Sequence, residues 1–126
     1  MSTSKEIENK NGMLPDNVHA FYHAHVYFDA GTLELATQLC QQAERLFTLT
    51  LGRFHQKLVG PHPRWSCQLA FNQAEYDKLC HWLDKNRQGL SILIHADTGN
   101  DLKDHTEYAF WLGQPLILNL SLFMPR

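Results

Sequence analysis

The spacing of apolar positions along this chain switches between two periods, and the switches mark out its elements. From Phe21 to Phe28 aromatic and β-branched residues crowd together until Asp29-Ala30-Gly31 closes the run, which predicts a strand. Over Thr32–Phe47 the positions Ala36, Leu39, Cys40, Ala43, Leu46 and Phe47 recur at three- and four-residue intervals, as on an amphipathic helix. Leu51–Val59 reads as a second, more polar strand near a sheet edge. Gly60-Pro61-His62-Pro63 is a stiff turn, because two prolines fix φ and remove donors. Trp65–Phe71 predicts a third strand. Asn72, with Glu75 three residues on, starts a second helix in the manner of a capping box. That helix carries Tyr76, Leu79, Cys80 and Leu83 on one face and stops near Gly89. Leu90–Ile94 is nearly all aliphatic and predicts a buried strand. Asp101–Leu112 predicts a short helix ending at Gly113, and Leu116–Phe123 a fifth strand.

The order βαββαβ, followed by a helix-like segment and a strand, is that of an α+β, ferredoxin-like fold: an antiparallel sheet with its helices on one face. The other face must be buried by a ligand, a partner subunit or the C-terminal extension. Residues 1–17 hold little that could enter a core, so they are expected to form a flexible N-terminal tail ahead of a single domain over residues 18–126.

Composition removes several function classes. A chain of 126 residues suits one domain. A formal charge of −2 leaves no basic footprint, which excludes nucleic acid as an expected partner. No apolar run approaches the roughly 18 residues that would span a bilayer. Met1–Gly12 lacks the apolar stretch of a secretory signal, so a cytoplasmic protein is expected. Cys40, Cys67 and Cys80 are odd in number and show no C-x-x-C spacing, which suggests neither a disulfide frame nor a thiolate zinc site.

The chemistry lies in the histidines. Along the first strand His23, His25 and Tyr27 share one face, while Ala24, Val26 and Phe28 share the apolar other. Imidazoles two residues apart on a strand sit about 7 Å apart at their α-carbons. Both rings can reach one ion at the ~2.0–2.1 Å of a metal–nitrogen bond. The expected topology lays the fourth strand antiparallel to the first, which brings His95 beside His23 as a third nitrogen donor. His62 lies at the opposite end of the sheet and needs its loop folded over to join them. His105 shares a helical face with Leu102, Ala109 and Leu112 and points inward. His19, His55 and His81 have no companions at useful spacing and read as surface residues. Three neutral nitrogens leave coordination positions open, as in catalytic metal sites, and imidazole suits iron, zinc, copper and nickel alike. A carboxylate from Asp97, Asp101 or Asp104 could complete a two-His-one-carboxylate set; near Asp101, helix capping is the plainer role.

Several blocks together resemble the DOPA 4,5-dioxygenase-like family: His23-Ala-His25-Val-Tyr27-Phe28, Gly60-Pro61-His62-Pro63, Leu93-Ile94-His95 with Thr98-Gly99, Asp104-His105, and Ala109-Phe-Trp111-Leu112-Gly113. The similarity runs from about His19 to Phe123. It departs from the family's usual pattern at Ala96, where proline is usual, and at Tyr108, where a further histidine is common. The resemblance implies a ferredoxin-like fold, a homodimer, and extradiol cleavage of a catechol such as DOPA by O₂ at a histidine-bound non-heme Fe(II), with zinc as a substitute. In that reading His23, His25 and His95 are the metal ligands, and His62, His105 and Tyr27 the catalytic groups around them. The rival class is a non-catalytic dimeric module that holds a small aromatic metabolite or a metal on its open sheet face.

Overall fold

The computed structural model describes residues 14–124 together with a two-residue strand, β1 (Lys5–Glu6). The remaining elements follow as β2 (Phe21–Phe28), α1 (Leu33–Leu46), β3 (Thr50–His55), β4 (Trp65–Asn72), α2 (Gln73–Asn86), β5 (Ile92–Ala96), α3 (Asp101–Asp104) and β6 (Ala109–Leu112). A 3₁₀ turn at Leu120–Phe123 closes the described chain. The sheet order is β1-β6-β5-β2-β4-β3, antiparallel throughout except for the β1–β6 pair. The βαββαβ unit supplies the four strands β5-β2-β4-β3, and β6 and β1 extend that frame beyond β5.

Pleating divides β2 between two environments. Ala24, Val26 and Phe28 are buried with Cys67, Leu69, Ile92 and Ile94 beneath the helices. The helix residues that meet them are those the spacing singled out: Ala36, Leu39, Cys40 and Ala43 of α1, and Tyr76, Leu79, Cys80 and Leu83 of α2. Leu46 is the exception and turns out to solvent. Cys40, Cys67 and Cys80 are free thiols in this layer. Burial and an adjacent Cys67 push the Cys40 thiol up, the Cys67 hydrogen bond being the larger cause. All three behave as small hydrophobes.

Local signals hold with one change of partner. The Asn72 side chain accepts from the Ala74 amide at 3.0 Å, capping α2. Glu75 does not return to Asn72; its carboxylate accepts from the Thr48 amide at 2.9 Å and ties the start of α2 to the α1–β3 connection. β3 ends at His55 rather than at Val59, and a register shift between Leu51 and Phe54 interrupts its ladder.

The C-terminal elements differ from expectation. The helix predicted over Asp101–Leu112 is a single turn, and its second half is the strand β6, whose unbroken apolar run Ala109-Phe-Trp-Leu fits a strand buried on both faces. Leu116–Phe123 is not a strand. The outer edge of β6 is taken by β1, and the segment crosses the sheet face instead, packing Leu116 and Leu118 against Tyr27, Leu93, Ala109 and Trp111. The tail expected over residues 1–17 ends sooner. Pro15 accepts from the Tyr76 hydroxyl at 2.7 Å, and Asn17 bonds both Gln73 and Tyr22. The rest of that expectation, residues 1–13, lies outside the described residues apart from β1. Among the described residues, no helix is long and apolar enough to cross a membrane.

Candidate metal centre

The β2–β5 register sets the site. His23 stands directly opposite His95, and His25 opposite Leu93, on the sheet face away from the helices. The Nε2 atoms of His25 and His95 come within 2.9 Å of each other. Donor atoms of His23, His25 and His95 all lie within 4.8 Å of one another. The three ligands expected from sequence therefore meet, and they could hold one metal ion.

Hydrogen bonds prepare the donors. A carbonyl oxygen can only accept, so the 2.7 Å contact from His95 Nδ1 to the Ala96 carbonyl places the ring proton on Nδ1 and leaves the Nε2 lone pair free. In the absence of a cation, His25 Nε2–H can donate into that lone pair; moving the single proton of neutral His25 to its Nδ1 frees both Nε2 lone pairs for an ion. A 2.9 Å gap suits two nitrogens bound side by side to one ion at ~2.0–2.1 Å. Electrostatics favour neutral rings. Burial holds His25 well below the usual imidazole range, and His62 and His95 push it the same way. Burial brings His95 down to about 3, with nearby His105 adding to the effect. His23 is also lowered by burial, against an opposing pull from Asp97. Neutral, deprotonated nitrogen is what a metal binds.

The two outlying histidines join the group. The Gly60–Pro63 turn folds over the sheet, held by a bond from the Asn119 amide to the Pro61 carbonyl at 2.9 Å. His62 thereby stacks on His25 with ring centres 4.1 Å apart, and its Nδ1 lies 2.6 Å from the Tyr27 hydroxyl. Burial lowers His62 to about 4. It also raises the Tyr27 phenol, which stays protonated. On the far side His105 lies 4.1 Å from His95, centre to centre, and Phe123 stacks on it at 4.7 Å. His105 points inward as expected, but from the turn after α3 rather than from a helix. Trp111 supports Tyr27 from below at 5.6 Å, and its indole N–H has no partner among the described residues.

Of the three aspartates weighed as ligands, one remains at the site. Asp97 lies 3.4 Å from His23 Nε2 and is half exposed. Asp104 is buried but turns to Thr98, accepting from its amide and its hydroxyl at 2.8 and 2.6 Å. Asp101 contributes only its backbone carbonyl, which accepts from His105 Nδ1 at 2.7 Å; the cap of α3 is Asn100. Of the histidines read as surface, His81 is exposed, while His19 is half-buried against Tyr108 at 4.6 Å. Tyr108 itself packs with the helix-side core, so the departure from the family's usual histidine lies away from the triad. At Ala96, the backbone N–H that proline would lack donates to the Tyr108 carbonyl at 3.1 Å. Sequence reasoning missed Asn119 and Phe123 as walls of the site. Their alternating context resembles a strand, and nothing local signals that they fold back over β2.

A groove of about 320 Å³ opens beside the triad, walled by His23, Phe21, Thr48, Thr50, Ala70 and Asp97. A second cavity of about 430 Å³, between His19, Tyr76 and Tyr108, touches none of the three ligands.

The chain matches the family model described as the Dopa 4,5-dioxygenase family over residues 22–122. It is 30% identical to an uncharacterised 21.2 kDa protein of Botryotinia fuckeliana, over 94% of this chain and 72% of the relative. It is 29% identical to a DOPA 4,5-dioxygenase of Amanita muscaria, over 96% of this chain, and spans 56% of that protein's length. A crystal structure of a "putative dioxygenase" from Nostoc punctiforme superimposes with a TM-score of 0.80 at 42% identity, covering 85% of this chain and 94% of that one.

Proposed function

The chain belongs to the Dopa 4,5-dioxygenase family, and on that premise we propose that it is an extradiol dioxygenase. It cleaves the ring of a catechol, DOPA being the first candidate, with both atoms of O₂ entering the product. The observation that carries this reading is the convergence of His23, His25 and His95, from two strands distant in sequence, beside an open groove.

His23, His25 and His95 would hold Fe(II), with zinc able to substitute. The bound iron supplies the coupling of an electron-rich ring to O₂, which no side chain can perform. The protein's part is placement and proton handling. The groove beside His23, lined by Phe21, Ala70, Thr48 and Thr50, is where we place the catechol ring. His62, His105 and Tyr27 lie within or next to the imidazole group and are the polar side chains we assign to the oxygens of substrate and O₂. Burial of this group excludes water that would otherwise compete for the open coordination positions. Three free buried thiols suit a reducing compartment such as the cytoplasm. Exposed Ile117, Leu122 and Met124 offer apolar contact to a second copy in a homodimer.

The test is direct. Protein loaded anaerobically with Fe(II), then given DOPA in air, is expected to consume one O₂ per catechol and form a yellow muconic semialdehyde-type product. Iron bound without oxygen uptake across a panel of catechols overturns the proposal.

A further inference from the structure

The cavity of about 430 Å³ on the helix side of the sheet has walls and polar groups of one consistent kind. Its inner wall is aromatic: Tyr22, Tyr76 and Phe110 belong to the helix-side core, and the rings of Tyr22 and Tyr76 stack 4.4 Å apart, centre to centre. Half-buried His19 and Tyr108 complete the wall. The buried phenols have already spent their protons. The Tyr76 hydroxyl donates to the Pro15 carbonyl at 2.7 Å. The Tyr22 hydroxyl donates to Asn17 Oδ1 at 3.0 Å, an orientation fixed by Asn17 Nδ2 donating to the Gln73 carbonyl at 2.9 Å. Tyr22 also accepts from the His19 amide at 3.1 Å, so what remains for a ligand is the lone pair on Tyr76. At the edge stand the exposed carboxylates of Asp16 and Glu107, which only accept, and no Lys or Arg lines the space among the described residues. The Tyr108 hydroxyl and the His19 imidazole can turn either way. Every lining side chain with a fixed sense is therefore an acceptor, and the charge is negative. Burial raises both phenols, and at Tyr76 the carboxylates of Asp77 and Asp16 add to the rise, as a negative local field does.

We propose that this cavity is a second binding site, for a small organic amine: a primary ammonium head held at the Asp16 and Glu107 edge, and an apolar body of about one ring packed against the aromatic wall. The chain already handles one ammonium in this way. Lys103 Nζ stands 5.9 Å over the Tyr108 ring and 3.9 Å from Glu107, so ring and carboxylate act together on a cation just outside the cavity. Size agrees. An apolar cavity of about 150 Å³ takes benzene, so about 430 Å³ leaves room for a ring with an aminoethyl arm. An anion would meet carboxylates and lone pairs with no fixed donor to receive it, and a neutral alcohol would forgo the charge. None of the lining residues is one of His23, His25 and His95, so the proposal stands whether or not the dioxygenase reading does.

The test compares three probes of one shape. Full-length ¹⁵N-labelled protein, metal-free and zinc-loaded, is titrated near neutral pH with phenethylamine, 2-phenylethanol or 3-phenylpropanoate and followed by ¹H–¹⁵N correlation. Phenethylamine is expected to shift the amides of Tyr22, Tyr76, Tyr108 and Phe110 with a Kd of roughly 0.1–1 mM, equal with and without zinc. The alcohol is expected to bind about three- to thirty-fold more weakly, and the carboxylate to leave these amides unmoved. Replacing both carboxylates, Asp16→Asn with Glu107→Gln, is expected to weaken the amine by that same factor and to leave the alcohol unchanged. Both positions are exposed, so the fold tolerates the change. Asp97→Asn, which removes the carboxylate of the groove beside His23, is expected to leave the amine's Kd as it was. No shift of the four amides up to about 10 mM amine overturns the proposal, as does an alcohol or a carboxylate that binds as tightly as the amine. Amine binding that needs zinc, or that is lost in Asp97→Asn and kept in the double variant, places the amine at the metal centre and overturns it too.

Discussion

The two faces of the sheet are built from alternate residues of the same strands, yet they are held in different ways. Under the helices, Val26, Leu69, Ile92 and Ile94 meet two amphipathic helices in one continuous apolar layer. On the opposite face Tyr27, Leu93, Ala109 and Trp111 form a small cluster, and beside it stand the imidazoles of His23, His25 and His95. That face is closed by a turn and a C-terminal segment rather than by helices, through single bonds such as Asn119 to Pro61 and through Leu116, Leu118 and Phe123. One face supplies cohesion; the other spends it on buried polar rings, which stabilise a fold less than aliphatic side chains do. The separation is what lets a chain of this size carry five clustered histidines.

The sharpest way to break the comparison is to damage each face separately. Leu69→Ala, in the fully buried helix-side layer, is expected to destabilise the domain by about 2–5 kcal/mol in urea unfolding. The metal affinity of the remaining folded protein should barely move. His95→Ala reverses the pattern. Its loss of metal affinity should exceed the roughly 10–100-fold typical of disturbing a ligand's support, as read by chelator competition. Its effect on metal-free stability should be smaller than that of Leu69→Ala.

Acid distinguishes the faces as well, because one of them buries imidazoles that take protons near neutrality only when the chain unfolds. His25, His62 and His95 all have lowered values in the folded protein, His62 to about 4 and His95 to about 3. In the unfolded chain they take protons near pH 6.5, so between that pH and about 4 the unfolded state binds more protons than the folded one. Stability of the metal-free protein is therefore expected to be level above pH 7 and to fall as the pH drops below 6.5. Each such group contributes at most about 1.4 kcal/mol per pH unit. A flat profile from pH 7 to 4.5 would contradict the burial of these rings. The smallest effect belongs to the helix side: Asn72→Ala, removing the cap of α2, is expected to cost about 1 kcal/mol in urea unfolding and to leave metal binding intact.

The helix-covered face is the one the sequence displays openly. Three- and four-residue spacing of Ala36, Leu39, Cys40 and Ala43 reports one environment along a whole element, and the structure buries all four. The alternation that put His23 and His25 together, and the topology that added His95, were legible for the same reason: each follows from a regular period or a regular connection. The closure of the other face was not. Ala109–Leu112 reads as apolar under either period, so its strand was merged with the preceding helical turn. Leu116–Phe123 alternates like a strand, but strand pairing depends on a free sheet edge, which β1 occupies. That His62 folds back onto His25 depends on a bond from Asn119, more than fifty positions along the chain, and no local pattern encodes such a partner.

Because β2 feeds both layers with neighbouring side chains, its pairing offset with β5 is shared property. A single residue inserted ahead of Phe21 that shifted the strand by one position would turn His23 and His25 toward the helices and Val26 and Phe28 toward the opposite face. Interior and reactive pocket would be lost in the same stroke. Selection that keeps the greasy layer in phase therefore also preserves the donor set, whether or not turnover is under selection in a given lineage.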